Sequence, residues 1–153
     1  MADDEGLAVA GPAEAGPAAA GLAAARAMWA ADAASAGLGM ELLALDVGRA
    51  SVRMTVTAAM VNGHAIAHGG FVFALADSAF ALACNSHGPV TVAAGCDITF
   101  VASARLGDVL VAEAVERAVF GRSGLTDVSV RVESTGSLVA ELRGRSRTIG
   151  SAS

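Results

Sequence analysis

The run NGHAIAHGGFVFALADSAFALACNS, Asn62 to Ser86, sets one carboxylate, Asp77, among apolar residues, eight positions after the first glycine of the pair Gly69-Gly70. An ionised carboxylate is costly to bury, so such a group is normally paired, neutralised or placed at an opening. At an opening it can attack a carbonyl or take a proton from water. Backbone N–H groups in the first turn of a helix have no intrahelical partner and carry the positive end of the helix dipole, and glycine lets a ligand oxygen come close to them. Gly69-Gly70 at a helix start is therefore a candidate oxyanion hole; the plain alternative is a pair of flexible loop residues. On that helix Gly70 and Phe73 share the face of Asp77, and Phe80 and Ala81 follow on it. Eight residues at a rise of ~1.5 Å separate Gly69 from Asp77 by ~12 Å, more than an Asp side chain spans. If both groups act on one carbonyl, the acid comes from a second copy of the helix packed antiparallel beside the first, in a symmetric dimer with composite sites.

Other chemistries fit less well. His64 and His68 stand four apart, but before a helix start they lie on a loop, and neither an acid nor a Cys is spaced to complete a metal tetrahedron. His68 is expected to order the loop or to sit near bound substrate. His87, before Gly88-Pro89, reads as a residue at a helix C-terminus, favoured by the dipole. Cys84 and Cys96 lie in apolar segments without CxxC spacing and read as reduced packing residues. A Gly-x-Ser-x-Gly elbow, a Walker loop and a Rossmann fingerprint are all lacking, so neither Ser nor Cys catalysis is favoured.

The elements that must position these residues follow from periodicity. The start, MADDEGLAVAGPAEAGPAAAG, opens on acids and lacks a Leu-like core, so it does not read as a secretory signal. Its Ala, Gly and Pro bury too little apolar surface to offset ordering entropy, and residues 1–20 are expected to be a disordered tail ahead of a domain at 21–150. GLAAARAMWAADAASA predicts a short helix over Gly21 to Ala36, carrying Trp29. ELLALDVGRASVRMTVTA predicts two strands about the turn Val47-Gly48-Arg49. Asn62-Gly63, tolerant of positive φ, marks a loop leading into a helix from about Gly69 to Asn85 that is apolar on nearly every side, and hence buried in a core or between subunits. From Val90 onward the period is two, in four runs that read as hairpin-connected antiparallel strands. This order excludes a doubly wound parallel sheet and predicts an α+β fold, one curved antiparallel sheet around one long helix.

With 153 residues, the chain is sized for one domain and one core. A net charge of -5, scattered basic residues, no Tyr and one Trp leave neither a phosphate-tracking stripe nor a base-stacking platform, which argues against nucleic acid. No window is long and apolar enough to span a bilayer, and a cytoplasmic, membrane-free protein is expected. Apolar residues at 54% against 16% charged imply that another copy of the chain covers some apolar surface.

The run Asn62-Gly63-His64, His68-Gly69-Gly70, Phe73-Ala74-Leu75-Ala76-Asp77-Ser78-Ala79 and Ala83-Cys84-Asn85-Ser86 resembles the signature of hot-dog-fold acyl-CoA thioesterases of the phenylacetate-degradation (PaaI) type, and the likeness extends over roughly residues 21 to 150. The resemblance implies a long central helix wrapped by five or six antiparallel strands, pairing of two units, and a homotetramer built as a dimer of dimers. It places the acidic catalyst on Asp77, as nucleophile or general base, the carbonyl-polarising amide on Gly69, and supporting polar loop residues on Asn62 and His68. Substrate contacts are expected at Gly70, Phe71, Phe73 and Phe80. The turn TFVASARLGD departs from the family, which more often shows an Arg-Pro-like pair; Arg105 is the expected substitute for contacts to the coenzyme A phosphates, with Arg122, Arg143, Arg145 and Arg147 near strand ends as further candidates or as plain solvated charges. The expected reaction is hydrolysis of phenylacetyl-CoA or a ring-hydroxylated form; it needs no metal or organic cofactor, coenzyme A being part of the substrate. The alternatives are a non-catalytic acyl-CoA-binding or sensing module and a hot-dog hydratase or dehydratase.

Overall fold

A computed structural model describes residues 16–151. Most of the expected tail, residues 1–15, lies outside the described residues. Helix α1, Pro17–Ala30, begins inside the stretch expected to be tail. A proline in the first turn explains the earlier start: its fixed φ suits the helix, and the N–H it lacks would have had no partner. The expected single helix to Ala36 is two. Asp32 adopts extended backbone (φ -80°, ψ 90°) and caps a second helix α2, Ala33–Gly37, by accepting the Ser35 N–H, so the chain bends there.

Strands β1, Glu41–Asp46, and β2, Arg49–Thr55, pair antiparallel about Val47-Gly48, as expected, with Gly48 at φ +69°. The loop before the long helix is closed by a bridge between Val61 and Ala67. Its left-handed residue is Ala65, at φ +59°, and not Gly63. Helix α3, Gly69–Asn85, has the expected bounds. It ends where the Asn85 amide turns onto the backbone: Nδ2 donates to the Thr91 carbonyl at 2.8 Å and Oδ1 accepts the Thr91 N–H at 2.9 Å, tying the helix end to the first residue of β3, Thr91–Phe100.

Strands β4, Val109–Phe120, β5, Ser123–Val132, and β6, Leu138–Thr148, complete one antiparallel sheet in the order β1-β2-β4-β5-β6-β3. The β4–β5 and β5–β6 hairpins are as expected. The expected hairpin between β3 and β4 is absent: β3 pairs with β6 at the opposite edge. Residues 101–108 carry the chain between them, with backbone bonds made along the way. The N–H of Val101 donates to the Val139 carbonyl, the Ala104 carbonyl accepts from the Ala67 N–H, and the Gly107 N–H donates to the Val56 carbonyl, which delivers the chain to β4 beside β2. Leu106-Gly107-Asp108 is a turn, but it turns the chain into a different neighbour.

The sheet curves around α3. Val72, Leu75, Ala76, Ala79, Phe80, Leu82 and Ala83 are buried on the helix, against an inward row that includes Val52, Met54, Leu110, Ala112, Val128, Val130, Ala140 and Leu142. The other flank of α3, with Phe71, Phe73, Ala74, Asp77, Ser78 and Ala81, is only half-buried. That flank is half-buried and β3 carries no fully buried residue, and both concern the site.

Candidate active site

His68 caps α3, its Nδ1 accepting the Gly70 N–H at 2.9 Å. The cap fixes the tautomer, because an accepting Nδ1 carries no proton and the hydrogen sits on Nε2. The next amide along, that of Phe71, donates to the His68 carbonyl at 3.0 Å. Among the described residues the Gly69 N–H alone of these three meets no protein acceptor, so it is the amide open to a ligand oxygen. Gly70, expected as part of the same hole, is corrected by this: its N–H is spent on His68. The His68 ring lies edge-on to Phe71 with centroids 5.9 Å apart.

Asn62 shapes the loop leading to that amide. Its Oδ1 accepts the His64 N–H at 2.9 Å, and its N–H donates to the Ile66 carbonyl at 2.8 Å. A cavity of ≈ 400 Å³ opens beside α3's first turn, lined by Asn62, Gly69, Val72, Phe100 and residues 101–104 among others. Phe100 is a residue that sequence reasoning missed. A Cβ placed on Gly69 would come within 2.9 Å of the Phe100 ring, so the aromatic lies directly over the glycine and a side chain there would push the half-exposed ring aside. The two are 31 positions apart and meet only through the placing of β3, so periodicity gave no signal.

Asp77 does not line this cavity. It sits on the half-buried flank of α3, near Asp32 of α2 and Cys96 of β3, and makes no ion pair among the described residues. Burial, and then the negative charge of Asp32, push its carboxyl above the ordinary value for an aspartate. A carboxylate with a raised pKa and a water-accessible edge is a stronger base than one in bulk solvent. Thus one chain offers an amide with a cavity at one point of α3 and an acid farther along it, apart by the ~12 Å that helical rise dictates.

The remaining site candidates separate. Phe71 and Phe73 lie on the open flank, but Phe80 is core: it is 1% exposed, and a Cβ on Gly144 would strike its ring at 2.7 Å. Arg105 is exposed in the 101–108 connection, at the Gly69 end, its N–H held by Asp108 Oδ2 at 2.8 Å. Arg122 is at the other end of α3, where its Nε donates to the Thr148 carbonyl and the residue lines cavities of ≈ 620 Å³ and ≈ 260 Å³ beside His87. Those cavities combine neither a free helix-start amide nor Asp77, so the cavity at Gly69, intermediate between them in size, is the site by chemistry. Within one chain the two arginines are not brought together. Arg143 and Arg145 are not loose strand-end charges: Arg143 pairs with Asp127 at 2.7 Å, and Arg145 with Asp97 at 2.6 Å, on the outer face of the sheet.

His87, beyond the α3 terminus as expected, is bonded to Glu116. Neither cysteine is disulfide-bonded; burial pushes the Cys84 thiol up to about 12 and raises that of Cys96, which disfavours a thiolate at either. Among the described residues no three His, Cys, Asp or Glu side chains converge on one point, and no helix is long and apolar enough to cross a membrane.

The sequence pattern of the Thioesterase superfamily matches residues 64–139, from the loop histidine to the start of β6. The chain is 44% identical over 126 residues to the acyl-coenzyme A thioesterase PaaI of Escherichia coli (strain K12), covering 82% of this chain and 89% of that one. The solved structure of the E. coli PaaI protein from the phenylacetic acid degradation operon superposes with a TM-score of 0.85 at 40% identity, covering 90% of this chain and 99% of the other. A mutant of the phenylacetic acid degradation protein PaaI from Thermus thermophilus superposes with a TM-score of 0.72 at 39% identity, covering 75% and 97% of the two chains. With a long helix inside an open six-stranded antiparallel sheet, and with relatives this close along most of its length, the chain belongs to the thioesterase superfamily as a hot-dog-fold acyl-CoA thioesterase of the PaaI type.

Proposed function

We propose that the protein hydrolyses phenylacetyl-CoA, or a ring-hydroxylated phenylacetyl-CoA, to the free acid and coenzyme A, at a site shared by two copies of the chain. The observation that carries this is the cavity at Gly69, which holds an unpartnered helix-start amide and no Asp77 of its own chain. In an antiparallel pair of α3 helices, the Asp77 of one chain faces the Gly69 N–H of the other. The amide then donates to the thioester carbonyl oxygen and stabilises its charge as the tetrahedral intermediate forms. The carboxylate either attacks the carbonyl carbon or takes a proton from the attacking water. The C–S bond breaks in both routes, and coenzyme A leaves as a thiolate that takes up a proton. The half-buried flank with Phe71, Phe73, Ala74 and Ala81 supplies an apolar wall for an aryl group.

Pairing is supported by the edge strand β3, where Val92 is 42% and Phe100 51% exposed. A dimer of dimers, a cytoplasmic setting and a role for Arg105, or for a partner's Arg122, at the coenzyme A phosphates complete the reading. No metal or organic cofactor takes part in it.

Free-thiol release from phenylacetyl-CoA, hydroxyphenylacetyl-CoA and a straight-chain acyl-CoA series tests it, with wild type and Asp77→Asn side by side. The expected result is preference for the aryl thioesters and a loss in the variant of about 10²-fold or more. Acyl-CoA binding without turnover would replace the reading with a binding module, and an active Asp77→Asn would remove the acid from it.

A further inference from the structure

Asp32 makes two bonds to one residue. Its Oδ1 accepts the Ser35 N–H at 2.9 Å, which is all an N-cap requires, and its Oδ2 accepts the Ser35 hydroxyl at 2.6 Å. A carboxylate has no proton to give, so the one hydroxyl proton of Ser35 points at Asp32. The 2.8 Å contact between Ser35 Oγ and Ser78 Oγ must then be donated by Ser78. A directed chain results, Ser78 O–H to Ser35 O–H to the Asp32 carboxylate, running from α3 to α2 across 43 positions of sequence, with Ser35 only 3% exposed. Capping a five-residue helix needs none of the second half of that chain. Its far end is the neighbour of Asp77.

Burial comes first in raising Asp77, and titratable groups of three elements stand within its electrostatic reach. Asp32 stands on α2, Cys96 on β3, and Cys84 two turns further along α3; both thiols are pushed up and therefore uncharged near neutral pH. Asp32 is thus the charged member of the set. Like charges disfavour joint ionisation, so its carboxylate makes Asp77 hold a proton to higher pH.

We propose that Asp32 is a positioning residue of the hydrolytic site: through Ser35 and Ser78 it fixes the turn of α3 that bears Asp77, and it keeps a second carboxylate beside the catalytic one. The proposal rests on Asp77 being the acid of the reaction. Direct contact with substrate belongs to Asp77; Asp32 acts through it.

The test measures kcat and KM against pH for wild type, Asp32→Asn, Ser78→Ala and Asp77→Asn, together with carboxyl ¹³C titration of Asp77 in the first three. Asp32→Asn is expected to move both the acid limb of kcat and the Asp77 titration to lower pH, with KM little changed. Ser78→Ala cuts the tie but leaves the charge, so it is expected to lower kcat with a smaller shift of the acid limb. Asp32→Ser keeps a capping oxygen without the charge and stands in if Asp32→Asn fails to fold. An unmoved acid limb and an unmoved Asp77 titration in folded Asp32 variants overturn the proposal, even while Asp77→Asn is inactive. An active Asp77→Asn instead overturns the catalytic reading on which the proposal rests, and an NMR titration that still shifts shows the coupling surviving without it.

Discussion

Asp77 is half withdrawn from water, pairs with no cation among the described residues and has Asp32 as a neighbour, so the folded protein binds its proton more tightly than the unfolded chain does. For an acid with a raised folded pKa, stability is greatest where the group is protonated and falls as pH rises through the folded value. Asp77→Asn removes the charge. Its melting temperature is expected to exceed that of wild type at neutral pH, and the gap is expected to close as pH falls below the carboxylate range. Activity moves the opposite way, since the base is gone. A variant less stable than wild type at neutral pH would show that Asp77 serves packing instead. The unusual placing of this acid was legible from the sequence, because a charge in an apolar run is conspicuous. The loss of Gly70 as a donor was not legible, since it turns on which way the His68 ring faces. Phe100 was hidden for another reason: its partner Gly69 is a neighbour only once β3 is in place.

At the scale of elements, close approach decides what the termini of α3 can be. A Cβ on Gly21 would collide with the Ser86 carbonyl, so α1 rests on the last turn of α3 through a glycine contact. Gly21→Ala is expected to lower stability by ~1–3 kcal/mol, as overpacking does, and thermal melts would register the drop. The span of α3 and the four late strands could be read from period and turn residues, and the structure has them where they were expected. The neighbour of β3 could not be read. Local pattern says that a segment is a strand; which edge it joins depends on the 101–108 segment finding backbone partners at Val139, Ala67 and Val56, all remote in sequence. Likewise Asp32 looked like a mid-helix residue until its capping of α2 showed why the first helix stops.

For the whole molecule, the consequence lies in how Gly69 and Asp77 are spaced along one helix. If each reaction centre draws its amide from one chain and its acid from another, damage to the two residues is complementary. Gly69→Ala, which brings a Cβ against the Phe100 ring, and Asp77→Asn are each expected to be inactive alone. Unfolded together and refolded, the two chains form mixed dimers in which one centre has both lesions and the other has neither. Random pairing makes half the dimers mixed, and roughly a quarter of wild-type activity is expected to return. No recovery from well-folded mixed dimers would mean that each chain works alone. Recovery would make the unit of inheritance the pair: a cell with two differently broken copies keeps the activity that a cell with two identically broken copies has lost.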